Sequence, residues 1–468
     1  MNRRQFLTAA SGLLAALAAP RPAAAAKAPN ILLILIDDLG YKDLGCYGGD
    51  HFETPRIDAL AQESLRFTQA YANCPVCSPS RAALMTGKNP ARLGFTGHIT
   101  AIGKHRHPEK SRIIPPQDKM YLPHEEESIA EVLKPAGYVS ASIGKWHLGE
   151  KGHWPEDQGF DENIGGWTHG SPPTYYYPYK DPKKKWNPGI PTLAEGKKDE
   201  YLTDRLTDEA IDFITRQQAN PFFLYLTLYA VHTPLEAPEG MAQKYKKKFE
   251  GKKTGIHPAY AAMLENMDRN IGRVLDTLKA LGLEEDTVVI FTSDNGGLED
   301  SAVQTPLREG KGTLYEGGIR VPLMIKWPGI SLAGETDQLA MGTDLLPTIA
   351  AMTGHTPAQV DTLDGYDLTP LLRDSTPIER KAQVWYYPHY HSKSMRPGAA
   401  IRKGQYKLIE TYDPIDLELY DLDADLSETT NLAKSMPEKT TELLADLHAY
   451  LDDVVAVRHT PNPACEGS

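Results

Sequence analysis

Ile31-Leu32-Leu33-Ile34-Leu35-Ile36-Asp37-Asp38 is the stretch on which the fold turns. Six apolar residues in a row, without polar alternation, predict a strand buried on both faces, as in a parallel sheet covered by helices. The abrupt change to two carboxylates puts the acids at the strand's carboxyl end. Three further runs repeat this arrangement: 138–143 leads into Gly144-Lys145-Trp146-His147, 222–229 ends ahead of His232, and 288–291 ends ahead of Asp294-Asn295. Helical patterns over 58–64, 128–134, 203–217 and 260–281 separate them, giving the β–α alternation of a doubly wound α/β sheet. Such sheets bind ligands beyond the carboxyl ends of their strands, so the four polar clusters are expected to converge. Taken singly, each cluster reads equally well as a strand cap or a turn.

Working outward, the chain of 468 residues is 41% hydrophobic with 38 Gly and 36 Pro, which excludes a disordered or collagen-like protein and leaves ample material for a core. The formal charge of −12 provides no global positive field for nucleic acid or an anionic membrane, so neither is expected as a partner and any anion site must be built locally. Four cysteines, Cys46, Cys74, Cys77 and Cys465, are too few for a disulfide framework. After residue 347 the pattern changes. Short antiparallel strands are predicted at 383–387, 399–401, 406–409 and 417–422, then a helix near 440–455, which marks a small α+β subdomain over 375–468 after the Pro/Asp-rich connection 364–377. The stretch 171–198, with its Pro-Pro pair, tyrosines, Trp186 and lysines, reads as a long surface excursion near the site mouth. The six lysines of 244–253 read as a solvated helix face.

Residues 1–26 begin with Asn2-Arg3-Arg4-Gln5-Phe6-Leu7, continue through a short Ala/Leu-rich run and end in small residues. This is the pattern of an export signal, too short in its apolar part to anchor a helix stably in a bilayer, and it predicts a periplasmic or secreted product without a membrane span. Arg3-Arg4 with Phe6-Leu7 resembles a twin-arginine signal, and a Sec route stays open.

Two groups of residues carry chemistry. Asp37, Asp38, Asp294 and Asn295 offer three carboxylates and an amide oxygen, a hard set suited to Ca²⁺ or Mg²⁺ rather than Zn²⁺. Without an ion these acids are expected to crowd at one sheet edge with nothing to compensate them. Cys77-Ser78-Pro79-Ser80-Arg81 opens a helical pattern, and a helix N-terminus favours an anion beside Cys77. As a plain thiol, Cys77 could pair with Cys74 or act as a cysteine nucleophile, although no His–Asn pattern of a cysteine hydrolase accompanies it.

The Cys-x-Pro-x-Arg segment resembles the signature of the type I, formylglycine-dependent sulfatases, arylsulfatase-like members of the alkaline phosphatase superfamily. The resemblance extends through Asp37-Asp38, Gly144-Lys145-Trp146-His147-Leu148-Gly149, Val231-His232-Thr233-Pro234, Asp294-Asn295-Gly296, Lys311-Gly312-Thr313 and Glu316-Gly317-Gly318-Ile319-Arg320-Val321-Pro322, spanning roughly residues 28–350. It implies a large mixed, mostly parallel sheet with helices on both faces in a catalytic domain over 27–374. It also implies conversion of Cys77 to 3-oxoalanine (formylglycine) by a formylglycine-generating enzyme that reads Pro79 and Arg81. One Ca²⁺ per chain is implied, held by Asp37, Asp38, Asp294, Asn295 and the converted Cys77.

In the mechanism so implied, the aldehyde hydrates to a geminal diol and one hydroxyl attacks sulfur in line. The cation and Arg81 hold that oxygen deprotonated, and Lys145 and Lys311 counter charge on the sulfuryl oxygens. His232 protonates the leaving oxygen, and His147 takes the proton of the second hydroxyl so that sulfate departs. The expected substrates are sulfated small molecules or glycans, with galactose- and N-acetylgalactosamine-type sulfates favoured. Two other readings use the same residues: a phosphate or phosphonate ester hydrolase, and a non-catalytic, calcium-stabilised glycan-binding homologue. The latter is expected to have lost the nucleophile or a lysine, and here both remain.

Overall fold

The computed structural model describes residues 28–99, 111–117, 119–193, 195–298, 301–302, 304–390 and 396–465; the export signal predicted over 1–26 lies outside the described residues. The strands are β1 (Asn30–Ile36), β2 (Leu65–Tyr71), β3 (Ile113–Ile114), β4 (Val139–Gly144), β5 (Glu162–Ile164), β6 (Phe222–Leu228), β7 (Thr287–Ser293), β8 (Leu323–Lys326), β9 (Gly334–Met341), β10 (Gln383–Tyr387), β11 (Gly398–Lys403), β12 (Tyr406–Tyr412), β13 (Ile415–Asp421) and β14 (Thr460–Pro461). An eight-stranded sheet runs β5-β4-β6-β1-β7-β8-β2-β9. Within it β5, β4, β6, β1 and β7 are mutually parallel, β8 is antiparallel to both neighbours, and β2 pairs β9 in parallel. This is the large mixed, mostly parallel sheet that the sequence predicts.

The helices are α1 (Pro55–Gln62), α2 (Cys77–Thr86), α3 (Pro90–Leu93), α4 (Ile129–Leu133), α5 (Leu202–Gln217), α6 (Met241–Phe249), α7 (Pro258–Ala280), α8 (Glu316–Ile319), α9 (Leu345–Thr353), α10 (Thr369–Asp374) and α11 (Pro437–Asp453). Side chains alternate across β1, and both of its faces meet helices. Leu32, Ile34 and Ile36 join a cluster with Leu206 and Phe213 of α5 and Met263 and Leu264 of α7. Ile31, Leu33 and Leu35 join Ala82 and Met85 of α2 and Leu345 and Ile349 of α9. Each of these six is wholly buried, worth about 1.5–3 kcal/mol of apolar transfer apiece, which fixes β1 at the sheet's centre.

Four strands of this sheet lie outside the sequence prediction: β2, β5, β8 and β9. In β2 and β9 many side chains are half-buried or exposed, so neither shows the continuous apolar run of a doubly covered strand.

Strands β10 to β13 form a separate antiparallel sheet in chain order. One face packs on Leu443, Leu447 and Leu451 of α11. The other, carrying Trp385, Tyr387, Ala400 and Ile409, packs on Tyr71, Val76, Leu314, Tyr315 and Ile319 of the larger unit. Across this junction Lys407 Nζ donates to Glu316 Oε1 at 3.0 Å and Glu428 Oε1 at 2.8 Å, all three side chains fully buried. The lysines of 244–253 are not simply solvated: Lys244 bridges Glu53 and Glu265, and Lys248 reaches Glu53.

Candidate active site

The strands that end in polar clusters are neighbours in the sheet, in the order β4-β6-β1-β7. Their carboxyl ends are stitched by backbone bonds: Asp37 N–H donates to Ala230 O at 3.2 Å, Val231 N–H to Asp37 O at 2.9 Å, Asp294 N–H to Ile36 O at 3.2 Å and Lys145 N–H to Thr227 O at 2.7 Å. Gly144 makes the last approach feasible. Its φ of +112° suits glycine, and a Cβ there would lie 1.9 Å from Thr227 O.

Helix α2 starts at Cys77, and its N-cap, Val76, offers no side-chain bond, so the first turn leaves N–H groups for a ligand. Arg81 lies four residues further on and therefore on the face of Cys77. Its Nε donates to Asp294 Oδ2 at 2.7 Å, and its Nη1 to Thr227 Oγ1 at 2.6 Å and Lys145 O at 3.0 Å. Lys145 Nζ donates to both oxygens of Asp37 at 2.7 Å. Lys311 Nζ lies 2.6 Å from Asp38 Oδ1 and 3.2 Å from Cys77 Sγ. Asn295 Nδ2 donates to Asp38 Oδ1 at 2.8 Å, and His232 Nε2 stands 3.6 Å from Asp38 Oδ2. Asp37, Asp38, Cys77, Arg81, Lys145, His232, Asp294, Asn295 and Lys311 thus form one connected network. His147 joins through Ser78, the neighbour of Cys77.

The acids are therefore not left uncompensated, which corrects the expectation from sequence. Lys145, Lys311 and Arg81 stand against Asp37, Asp38 and Asp294 in a site shielded from water. Burial, with Asp294 and Asp38 beside it, pushes the Asp37 carboxyl up to about 8 against the pull of Lys145. Burial also raises Asp38 and Asp294, but Lys311 at the first and Arg81 at the second more than reverse it and hold both carboxyls below the usual range. As a thiol, Cys77 is pushed up to about 11 by burial, with Lys145 and Lys311 opposing. Such a thiol is protonated at neutral pH, which argues against a thiolate nucleophile.

The two histidines differ. Nδ1 of His232 donates to Thr233 O at 2.9 Å, which fixes that tautomer and leaves the Nε2 lone pair toward Asp38 and the cleft. Burial, followed by Lys311, holds this imidazole down to about 3. His147 is pinned at both nitrogens: Nε2 donates to Ile99 O at 3.1 Å, and Nδ1 lies 3.2 Å from Ser78 Oγ. Burial and Lys145 hold it well below the ordinary range, so it is neutral.

Sequence reasoning missed Thr227 and Ser78, which bond Arg81 and His147. Thr227 had a signal, the one small polar side chain among the large apolar and aromatic ones of β6. Ser78 sits inside the Cys-x-Pro-x-Arg segment and had none of its own. Among the described residues, Asp37, Asp38, Cys77 and His232 place ligand atoms within 4.8 Å of one another. Asp38 Oδ2 and Asn295 Oδ1 are buried without a hydrogen-bond partner, as expected of oxygens reserved for a cation. The donor set thus fits a hard divalent ion. Asp37 and Asp294 are the members most occupied by protein, since Lys145 takes both oxygens of the first, and Asp38 N–H and Arg81 take those of the second.

Cations, a helix N-terminus and a candidate nucleophile meeting at the carboxyl ends of parallel strands define an esterase for tetrahedral oxyanions. The chain belongs to the sulfatase family, whose members hydrolyse sulfate esters: the family profile described as Sulfatase matches residues 29–355, and one described as N-sulphoglucosamine sulphohydrolase, C-terminal, matches 310–456. The chain is 35% identical to arylsulfatase A of Homo sapiens over 93% of its own length and 89% of that protein. It is 36% identical to N-acetylgalactosamine-6-sulfatase of Rattus norvegicus over 85% of its own length and 73% of the relative. Among solved structures, Ps i-CgsB in complex with k-i-k-neocarrahexaose superposes with a TM-score of 0.77 at 30% identity, covering 91% of this chain and 93% of that one. No described helix is long and apolar enough to cross a membrane.

Proposed function

We propose that this sulfatase acts on sulfated carbohydrates outside the cytoplasm, with Cys77 as 3-oxoalanine and one Ca²⁺ per chain. The observation that carries the catalytic assignment is the position of Cys77: first residue of α2, 3.2 Å from Lys311 and on one helix face with Arg81. The carbohydrate reading is supported by relatives named for N-acetylgalactosamine 6-sulfate and for a complex with a neocarrahexaose. The proposal includes export through 1–26, maturation by a formylglycine-generating enzyme, catalysis within 27–374 and a covering subdomain over 375–468.

Asp37, Asp38, Asp294, Asn295 and the converted Cys77 would hold the cation. When bound, cation and aldehyde together supply a hydrated carbonyl oxygen, kept deprotonated, as the nucleophile toward sulfur. The chain's own groups do the rest. Arg81 fixes Asp294 and the carbonyl of Lys145, so the acids and the lysine keep their places. Lys145 and Lys311 offer ammonium groups to the sulfuryl oxygens as charge shifts toward the leaving oxygen. His232, protonated at Nε2 as the anionic sulfate group enters, gives that proton to the leaving oxygen, its ring oriented by the Thr233 carbonyl. His147, neutral and oriented by Ile99, is the base that receives a proton at Nδ1.

Matched aryl sulfate and aryl phosphate substrates test the reaction: kcat/KM for the sulfate is expected to exceed that for the phosphate by at least about 100-fold. A phosphate preference selects the phosphate or phosphonate reading, and no turnover of either selects the non-catalytic one. Removal of divalent ions is expected to lower aryl sulfate turnover by roughly 100-fold or more, with Ca²⁺ restoring it better than Zn²⁺. Full activity in excess chelator defeats the metal assignment.

A further inference from the structure

The excursion 171–198 is anchored by its own buried tyrosines. Of its tyrosines, Tyr175 and Tyr179 are fully buried, and Tyr175 OH donates to the backbone carbonyls of Tyr229 at 2.7 Å and His232 at 2.8 Å. The excursion is thus moored to the segment that carries His232. At its base, Trp167 O accepts the N–H of His147 at 3.0 Å, and a Cβ on Gly170 would lie 2.3 Å from His147 Cε1. Residues 167–170 therefore lie directly against the second catalytic candidate.

From that base a file of rings leads to solvent. Trp167 is buried and meets His169 edge-on at 4.4 Å; His169 meets Trp186 edge-on at 6.1 Å; and Trp186 is 54% exposed. The tip is held in place: Asn187 Nδ2 donates to Ser171 O at 2.9 Å, and Lys184 Nζ to Pro173 O at 2.7 Å. Beside Trp186, Lys183 and Lys185 are exposed and, among the described residues, neither makes a salt bridge, unlike Lys244 and Lys248.

We infer that Trp186, flanked by Lys183 and Lys185, is a subsite for the sugar residue adjoining the one whose sulfate is cleaved. A fixed, half-exposed indole presents a flat apolar face that matches the C–H face of a pyranose, and Trp is the side chain with most to gain from being covered. Two uncommitted ammonium groups beside it match a further sulfate on the same chain in a protein whose net charge is −12. The inference rests on the sulfated-carbohydrate reading above and narrows it to oligosaccharides rather than isolated sulfated monosaccharides or aryl sulfates.

The test compares wild type, Trp186→Ala, Trp186→Phe and Lys183→Ala/Lys185→Ala on 4-methylumbelliferyl sulfate and on tetrasaccharides bearing 6-sulfated N-acetylgalactosamine or sulfated galactose. Trp186→Ala is expected to lower kcat/KM on a cleaved tetrasaccharide by about 10- to 100-fold, through KM, and to leave the aryl sulfate within about twofold. Trp186→Phe keeps a flat ring and is expected to retain most tetrasaccharide activity, and the double lysine variant is expected to raise KM more at low salt than at high. Equal losses on both substrates, or none on the tetrasaccharide, overturn the subsite. A wild type that cleaves only the aryl sulfate overturns the carbohydrate reading and the subsite with it, whereas one that cleaves no sulfate ester overturns the enzyme assignment itself.

Discussion

Cys77→Ala is expected to release no measurable product from an aryl sulfate while melting within about 2 °C of the wild type. The two halves of this expectation come from different features of one position. Cys77 is 3% exposed, but its side chain is small and its side-chain hydrogen bond is the 3.2 Å approach of Lys311. Losing the one group beyond Cβ, thiol or aldehyde oxygen, at a helix start removes little packing, so the cost is about 1 kcal/mol in a chain of this size. Losing the nucleophile removes the covalent step, and in enzymes that work by such a step this costs at least about 10⁴ in rate. Cys77→Ser sharpens the test. A hydroxyl keeps size and polarity, so a mechanism that used the unmodified side chain would leave partial activity, whereas a mechanism through the aldehyde leaves none in a host that oxidises only cysteine. The mass of the tryptic peptide containing Cys77 completes the experiment, because conversion of thiol to aldehyde lowers it by about 18 Da. Wild-type protein that is active with an unconverted thiol sinks the assignment.

The strand that sets the fold was readable because burial on two faces leaves a simple mark. Residues 31–36 contain nothing but Ile and Leu, and β1 proves to be the strand between β6 and β7 with helices above and below. The helix predicted at 203–217 is α5, and that at 260–281 differs from α7 by a residue or two at each end, because long amphipathic periods are hard to mimic by chance. What sequence could not show are interactions between residues far apart in the chain. Nothing around Lys145 announces that its ammonium closes on Asp37, 108 residues away, or that Lys311 closes on Asp38. The lysines at 244 and 248 look solvated until the fold brings Glu53 to them, 191 and 195 residues away. Tyr175 and Trp186 sit in one stretch of mixed composition, and only packing distinguishes the buried prop from the exposed platform. The site was legible as a list of residues because strand ends in a doubly wound sheet must converge. Its charge balance was not, since that depends on which cation meets which acid.

Arg81 is where that balance is most exposed to a single substitution, and Arg81→Met is expected to lower both stability and turnover by large amounts. The guanidinium is wholly buried and holds four things at once: Asp294 through Nε at 2.7 Å, Thr227 and the Lys145 carbonyl through Nη1 at 2.6 and 3.0 Å, and Asp37 at 3.7 Å from Nη2. Methionine fills similar volume but leaves the Asp294 carboxylate in a dry site without its nearest cation, and breaking a buried pair in this way costs about 3–5 kcal/mol. Arg81→Lys restores the charge without the planar fork, so it is expected to recover part of the stability yet remain at least about 100-fold less active, because a compact ammonium on a flexible stem does not hold Asp294, Thr227 and the Lys145 carbonyl in the fixed geometry of the guanidinium. Arg81 also lies in the segment that the maturation enzyme is proposed to read, so a loss of activity alone would be ambiguous. Denaturation midpoints and the fraction of Cys77 converted separate the two causes. A variant with wild-type stability and an unconverted thiol places the role of Arg81 in maturation alone. Lower stability, with activity still lost per converted molecule, places it in the site, where it ties the end of β7 to the segment that follows β4.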